Sequence, residues 1–168
     1  MCPGAASMRS ELRLTSTLAT FVMFMLMFAQ GIPVGTKHKD HCDNGWEHFE
    51  ESCYVLIADE VNYPSSLDIC KKLGGYLVEI NSERENTFLR LFFGKKMERV
   101  WQGINDISQE GRWVFSRTGY RVLGTYWHKG EPNNYDNEDC AIFDYRATWF
   151  DISCNSLFPL ICEKQSWR

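Results

Sequence analysis

"NSERENTFLRLFFG", residues 81–94, reads as a helix with both ends marked. Ser82 followed three residues later by Glu85 is a capping box, in which side chains satisfy backbone donors at a helix start. Phe88, Leu89 and Phe92 supply the face expected to be buried, and Gly94 ends the helix. Upstream, "YPSSLDICKKLGG" reads as a first helix. Pro64 and Ser65 open it, Leu67, Cys70 and Leu73 share a face, and Gly74-Gly75 stop it. "YLVEI", Tyr76 to Ile80, is a short strand between the two, and "WEHFEESCYVLI", Trp46 to Ile57, is two strands about a turn. After residue 94 helical periodicity almost disappears. The segments "VWQGI", "RWVF", "CAIFDY", "ATWF" and "PLICEK" are short, aromatic and β-branched, with Gly- and Asn-rich connections. The expected class is α+β: two helices packed on small antiparallel sheets. The stretch from about Asn105 to Asp139 is largely loop, and so long a loop inside a compact domain is usually functional.

The chain has 168 residues, which suits one domain, and it contains no repeat or low-complexity tract. A net charge of −4 argues against a nucleic-acid partner, which needs a basic face to displace counterions. The first thirty residues differ in kind. Arg9 and Arg13 precede the apolar run "LATFVMFMLMFA", Leu18 to Ala29, and small residues follow at Ala29 and Gly31. This is the layout of a secretory signal over residues 1–31, cleaved near 31–35. The run is short against the ~20 residues of a membrane span. A polar lead-in, residues 36–41, then precedes a domain over residues 42–165, and the mature protein is expected to be secreted.

Cleavage removes Cys2 and leaves Cys42, Cys53, Cys70, Cys140, Cys154 and Cys162. An even count in a secreted chain reads as three disulfides, with about 15 pairings open. Structural zinc needs closely spaced cysteines, whereas the near gaps here are 11, 14 and 8 residues. His38 and His41 lie in the polar lead-in and read as a solvated tail.

"HKGEPNNYDNEDC", His128 to Cys140, carries the chemistry. Glu131, Asp136, Glu138 and Asp139 crowd together with Asn133, Asn134 and Asn137, and no Lys or Arg lies among them from Glu131 on. Uncompensated carboxylates repel, and a bound cation reverses that. Ca²⁺ takes about 6–8 oxygen ligands from carboxylates, amides, carbonyls and water. Glu131, Asn133, Glu138 and the later Asp151 are of the right type, and no thiol or imidazole is offered within the acidic stretch. The acids do not follow the EF-hand pattern. A solvated acidic loop is the plainer alternative on composition alone.

From Cys42 to Glu163 the sequence resembles a long-form C-type lectin domain. The resemblance rests on "GWEHFEESCY", "CKKLGGYLVEINSERENTFL", "VWQGINDISQEGRWVF", "GEPNN", "EDC", "WFDISC" and "PLICEK", in the family's order. It implies bridges Cys42–Cys53, Cys70–Cys162 and Cys140–Cys154. It implies a principal Ca²⁺ site of Glu131, Asn133, Glu138 and Asp151, with a cis bond before Pro132. It further implies an auxiliary site of Asp106, Glu110, Asn134 and Asp139, bridged by Glu138; an ordinary turn is the alternative for Asp106 and Glu110. Sugar hydroxyls would meet Glu131, Asn133 and Glu138, and the Glu-Pro-Asn version is associated with mannose-, fucose- and N-acetylglucosamine-type glycans. One position departs. Where the family has Trp-Asn-Asp, this chain has Trp149-Phe150-Asp151. A phenyl ring supplies neither the ligand oxygen nor the donor of that Asn. Phe150 could instead stack on a sugar or fill space in a site that no longer binds one.

Trp101, Trp113, Trp127 and Trp149 are expected in the core rather than on a stacking platform. No nucleophile motif occurs, and Glu138 and Asp139, read as neighbours on one strand, would point to opposite faces and not flank a glycosidic bond. The expected function is therefore calcium-dependent glycan binding without catalysis. A perlucin-like matrix protein meeting calcium carbonate and a sugar-inactive protein-binding domain are the rivals. Useful avidity would need several copies, possible as a homo-oligomer, although no assembly motif is encoded.

Overall fold

β1 (Glu47–Phe49) and β2 (Ser52–Val61) form the expected hairpin, with β2 running four residues further than the pattern indicated. These elements belong to a computed structural model that describes residues 42–96 and 98–167. The expected signal segment 1–31, the expected lead-in 36–41 and the His38–His41 pair lie outside the described residues. α1 (Tyr63–Lys72), β3 (Tyr76–Leu77), α2 (Glu83–Phe93) and β4 (Arg99–Asn105) follow. β5 (Val114–Phe115), β6 (Cys140–Asp144), β7 (Trp149–Ile152) and β8 (Phe158–Gln165) complete the chain.

The strands join in the order β1-β2-β8-β4-β6-β7, with β3 beside β8 and β5 beside β4. The expectation of small antiparallel sheets is corrected in one respect. The C-terminal β8 inserts between β2 and β4, antiparallel to the first and parallel to the second at Trp101–Leu160, so the sheet is mixed and continuous. Only Tyr76 and Leu77 of the expected 76–80 strand pair as a ladder. Val78 then bridges β8 and β4, donating from its N–H to Ile161 O and accepting at its carbonyl from Gly103 N–H. A Cβ at Gly103 would stand 2.4 Å from the Leu77 carbonyl oxygen, so the crossing requires glycine there.

Each helix turns inward only part of the face expected: Cys70 and Leu89 are buried, and Leu67, Phe88 and Phe92 pack against the core from half-buried positions. α1 starts at Tyr63, capped by Asn62, whose Oδ1 accepts from Ser65 N–H at 3.0 Å. It buries Tyr63, Ser66 and Cys70, and Leu73 is exposed. α2 has the expected cap, with Ser82 Oγ accepting from Glu85 N–H at 3.1 Å. The return bond goes from Asn81 N–H to Glu85 Oε2, one residue earlier than in the usual box. α2 buries Glu85, Asn86, Leu89 and Phe93, while Phe88 and Phe92 are half-buried. The two polar residues face inward because distant partners meet them. Tyr54 OH donates to Glu85 at 2.8 Å, and Asn86 Nδ2 donates to Ala147 O at 3.0 Å.

The core lies in two clusters. One joins Leu89, Phe93, Ile104 and Trp149, and the other joins Tyr63, Trp101, Ile142 and Leu160. Trp101, Trp113 and Trp149 are buried, and Trp127 packs edge-on against Trp113 and Trp149 at 4.7 and 5.7 Å. The tryptophans are therefore core, as expected. Disulfides join Cys42–Cys53, Cys70–Cys162 and Cys140–Cys154, with Cα separations of 5.7, 5.2 and 5.1 Å. Between β4 and β6 only the two-residue β5 interrupts the loop among the described residues.

Candidate metal-binding site

Asp151 lies on β7, where burial alternates: Trp149 and Asp151 are buried, and Phe150 and Ile152 are half-buried on the other face. The Cys140–Cys154 bridge ties the start of β6 to the segment just after β7, so Asp151 stands on a fixed edge. Its Oδ2 accepts from the backbone N–H groups of Asn133 at 2.9 Å and Asn134 at 2.6 Å. Its Oδ1 is buried and has no partner. Those two bonds hold the Glu131–Asn134 segment against β7.

The Glu131–Pro132 peptide is cis. Glu131 accepts from Asn133 Nδ2 at 2.5 Å, and Asn133 Oδ1 accepts from Tyr135 N–H at 2.8 Å. Asn134, Asp136 and Asn137 have positive φ of 49°, 56° and 69°, a region that Asn and Asp tolerate better than other side chains. The loop is thus rich in these residues for backbone reasons as well as ligand chemistry. Burial first, then the adjacent Asp151 carboxylate, pushes the Glu131 carboxyl above its ordinary range, and the Asn133 amide offsets part of this. Burial and then the charge of Asp151 push Glu138 up in the same way. Glu131, Asn133, Glu138 and Asp151 are therefore brought together. Glu138 and Asp139 precede β6 rather than lying within it, so the strand geometry assumed for them in the sequence does not apply.

A second acidic group adjoins the first. Carboxylate oxygens of Asp106, Glu110 and Asp139 lie within 4.8 Å of one another. Asp106 is buried, accepts on Oδ2 from Gly111 N–H at 2.8 Å, and leaves Oδ1 buried without a partner. Burial first, with Glu110 and Asp139 adding repulsion, pushes its carboxyl up to about 6. Asn134 links the two groups. Its Nδ2 donates to Glu110 at 2.6 Å, its Oδ1 accepts from Glu138 N–H at 2.8 Å, and its own N–H reaches Asp151.

The donors are all oxygens, and no ion pair among the described residues neutralises these acids. Two buried carboxylate oxygens, Asp106 Oδ1 and Asp151 Oδ1, lack any donor. That set fits a hard divalent cation such as Ca²⁺ and not a soft one.

The sequence reading missed the surroundings of Phe150. Its ring stacks on His128 with centroids 4.9 Å apart and planes 20° apart, and the Arg99 guanidinium lies 5.4 Å from its centroid. Period-two alternation along β7 was the available signal that Phe150 and Asp151 face opposite ways.

The Lectin C-type domain family matches residues 59–164. A perlucin-like protein of Mytilus galloprovincialis is 31% identical over 147 residues, covering 83% of this chain and 90% of that protein. CD209 antigen of Homo sapiens is 36% identical over 128 residues, covering 74% of this chain, and the chain spans only 31% of that relative's length. Among solved structures, the carbohydrate-recognition domain of the mouse scavenger receptor C-type lectin superposes with a TM-score of 0.71 at 29% identity, over 76% of this chain and 98% of that one. The acid-lined loops, the three bridges and these likenesses agree: the chain belongs to the C-type lectin domain family.

Proposed function

We propose that this chain is a secreted, calcium-dependent glycan-binding protein that catalyses no reaction. The observation that carries the reading is the Asp151 carboxylate: it is buried, one of its oxygens has no partner, and it adds to burial in raising Glu131 and Glu138. Such an arrangement is costly unless a cation joins it. Glu131, Asn133, Glu138 and Asp151 would hold one Ca²⁺, and Asp106, Glu110, Asn134 and Asp139 would hold a second. Calcium, when bound, supplies coordination for two vicinal sugar hydroxyls. Glu131 would accept a hydrogen bond from one hydroxyl. Asn133, whose Oδ1 already takes the Tyr135 N–H, would donate to the other from Nδ2. That donor and acceptor order supports mannose-, fucose- or N-acetylglucosamine-type glycans. Single-sugar contacts are weak, so recognition or agglutination of microbial surfaces would need several copies on one particle.

A glycan array read with calcium and with EDTA tests this. EDTA-sensitive binding to mannose-type sugars is expected, and calcium-insensitive binding would assign the domain to a protein ligand instead. One observation favours a second reading: the likeness to the perlucin-like mussel protein covers nearly the whole of that chain. There the acidic loops would meet calcium carbonate, and altered crystal growth without array binding is its expected signature.

A further inference from the structure

We propose that Phe150, standing where the family pattern has a metal-ligating Asn, acts as a positioning residue: by stacking on His128 it fixes the turn that presents Glu131. The proposal rests on the calcium reading above for its consequence, and on the metal-free geometry for its substance. His128 is tied to the sheet through its backbone, its N–H donating to Trp149 O at 2.9 Å. The same residue's carbonyl accepts from Glu131 N–H, also at 2.9 Å. A parallel bridge between Trp127 and Trp149 sets the register one residue before. His128 is thus the last fixed point before Gly130, at φ 98°, and the cis Glu131–Pro132 bond.

His128 is exposed overall. On its inner side it has the ring of Phe150, 4.9 Å away and tilted by only 20°. Phe150 is itself set from two sides. It pairs with Ile142 across the β6–β7 ladder and packs on the second core cluster, and Arg99 of β4 lies over its ring at 5.4 Å. The chain of contact therefore runs from the rigid sheet, through Phe150 to His128, and from His128 O to Glu131. Glu131 then meets Asn133, whose N–H is held by Asp151 two strand positions from Trp149. A chain that loses one ligand oxygen here gains a clamp on another ligand. An aromatic pair contributes enough to shift a local opening equilibrium by about threefold to tenfold.

The test uses Phe150→Ala, Phe150→Leu, Phe150→Tyr and His128→Ala in the full chain, with two readouts. In EDTA, amide hydrogen exchange of Glu131 is expected to accelerate about threefold to tenfold in the Ala and Leu variants and in His128→Ala. Phe150→Tyr, which keeps the stack, is expected to restore the slow rate. Exchange at Val78 and Gly103, bonded within the framework, is expected to stay unchanged. By calorimetry, calcium affinity is expected to fall by a similar factor in the same variants, and His128→Ala with Phe150→Ala together is expected to cost no more than either alone. Tighter calcium binding in Phe150→Ala would mean that the ring merely obstructs the site and would overturn the proposal. So would a Leu variant that behaves as wild type, or equal acceleration at Glu131 and the framework amides. If the wild-type protein takes up no calcium, the functional reading fails, and the exchange pattern in EDTA still decides the positioning role.

Discussion

Asp151 carries two backbone hydrogen bonds on one carboxylate oxygen and none on the other. The first oxygen is structural, since it fastens the Asn133–Asn134 backbone to β7. The second has no duty in the ion-free molecule and lies in a neighbourhood made anionic by Glu131 and Glu138. Asp151→Asn separates these roles. The amide oxygen can still accept from both N–H groups, while the amide nitrogen offers hydrogens to the neighbouring Glu131 carboxyl. In EDTA the variant is expected to melt about 3 °C higher, corresponding to a gain of about 1 kcal/mol for one repulsive contact replaced by a hydrogen bond. With calcium present, affinity is expected to fall by at least about tenfold, because a charged ligand becomes neutral. Thermal melts in EDTA and calorimetric titration measure the two effects. A variant that is less stable without metal, or equally avid for it, would show that Asp151 serves only to hold the loop.

At the scale of elements, α2 and β8 bring together carboxyls that the site does not use. Glu85 of α2 accepts from Tyr54 OH and Asn81 N–H; Glu163 of β8 accepts from Ser52 OH at 2.7 Å and Glu79 N–H at 3.2 Å. Glu79 alone among the three is paired, to Arg117 at 3.2 Å. Burial, with Glu163 adding repulsion, pushes the Glu85 carboxyl from 4.5 up to about 7. A carboxyl raised on folding binds its proton more tightly in the native state. Its contribution is therefore present at low pH and lost as pH rises, here across the window from about 4.5 to about 7. In EDTA the melting temperature of the wild type is expected to fall across that window. Glu85→Gln can accept from Asn81 N–H and donate to the Tyr54 oxygen, so its curve is expected to be flatter and, at about pH 8, to lie above the wild type by the equivalent of ~1–3 kcal/mol of stability. Parallel melting curves for the two proteins would refute the assignment. These same elements show what the sequence could disclose. Ser82 and Gly94 mark the ends of α2 legibly because capping is local. Leu89 was legible on the inward face, but Glu85 and Asn86 were not, because they are buried by Tyr54 and Ala147, partners 31 and 61 residues away, which no helical period reveals. Glu131, Asn133, Glu138 and Asp151 were legible as oxygen donors, whereas the His128–Phe150 stack depends on a loop folding back onto a strand.

Across the whole molecule, framework and loop are held by different forces. Cys70–Cys162 joins residues 92 apart, α1 to β8, and in the chain-entropy picture is worth about 4–5 kcal/mol. The framework adds the two core clusters and the continuous sheet. The stretch between β4 and β6 has one short strand and two groups of mutually repelling acids. Calcium is thus expected to order the loop while leaving the framework nearly unaffected. Trypsin reads this difference, because Arg112, Arg121 and Lys129 are exposed within the loop. In EDTA, cleavage at these three sites is expected first. Each cut separates Cys70 from Cys162 in sequence while their bridge still joins the pieces, so two fragments should run as one band without reductant and separate with it. At calcium well above its dissociation constant, cleavage there is expected to slow by about tenfold to a hundredfold, since binding must be lost before the loop opens. The opposite finding, equal cleavage at the same bonds with chelator and with calcium, would mean that the loop is ordered by protein contacts alone and that its acids are simply solvated.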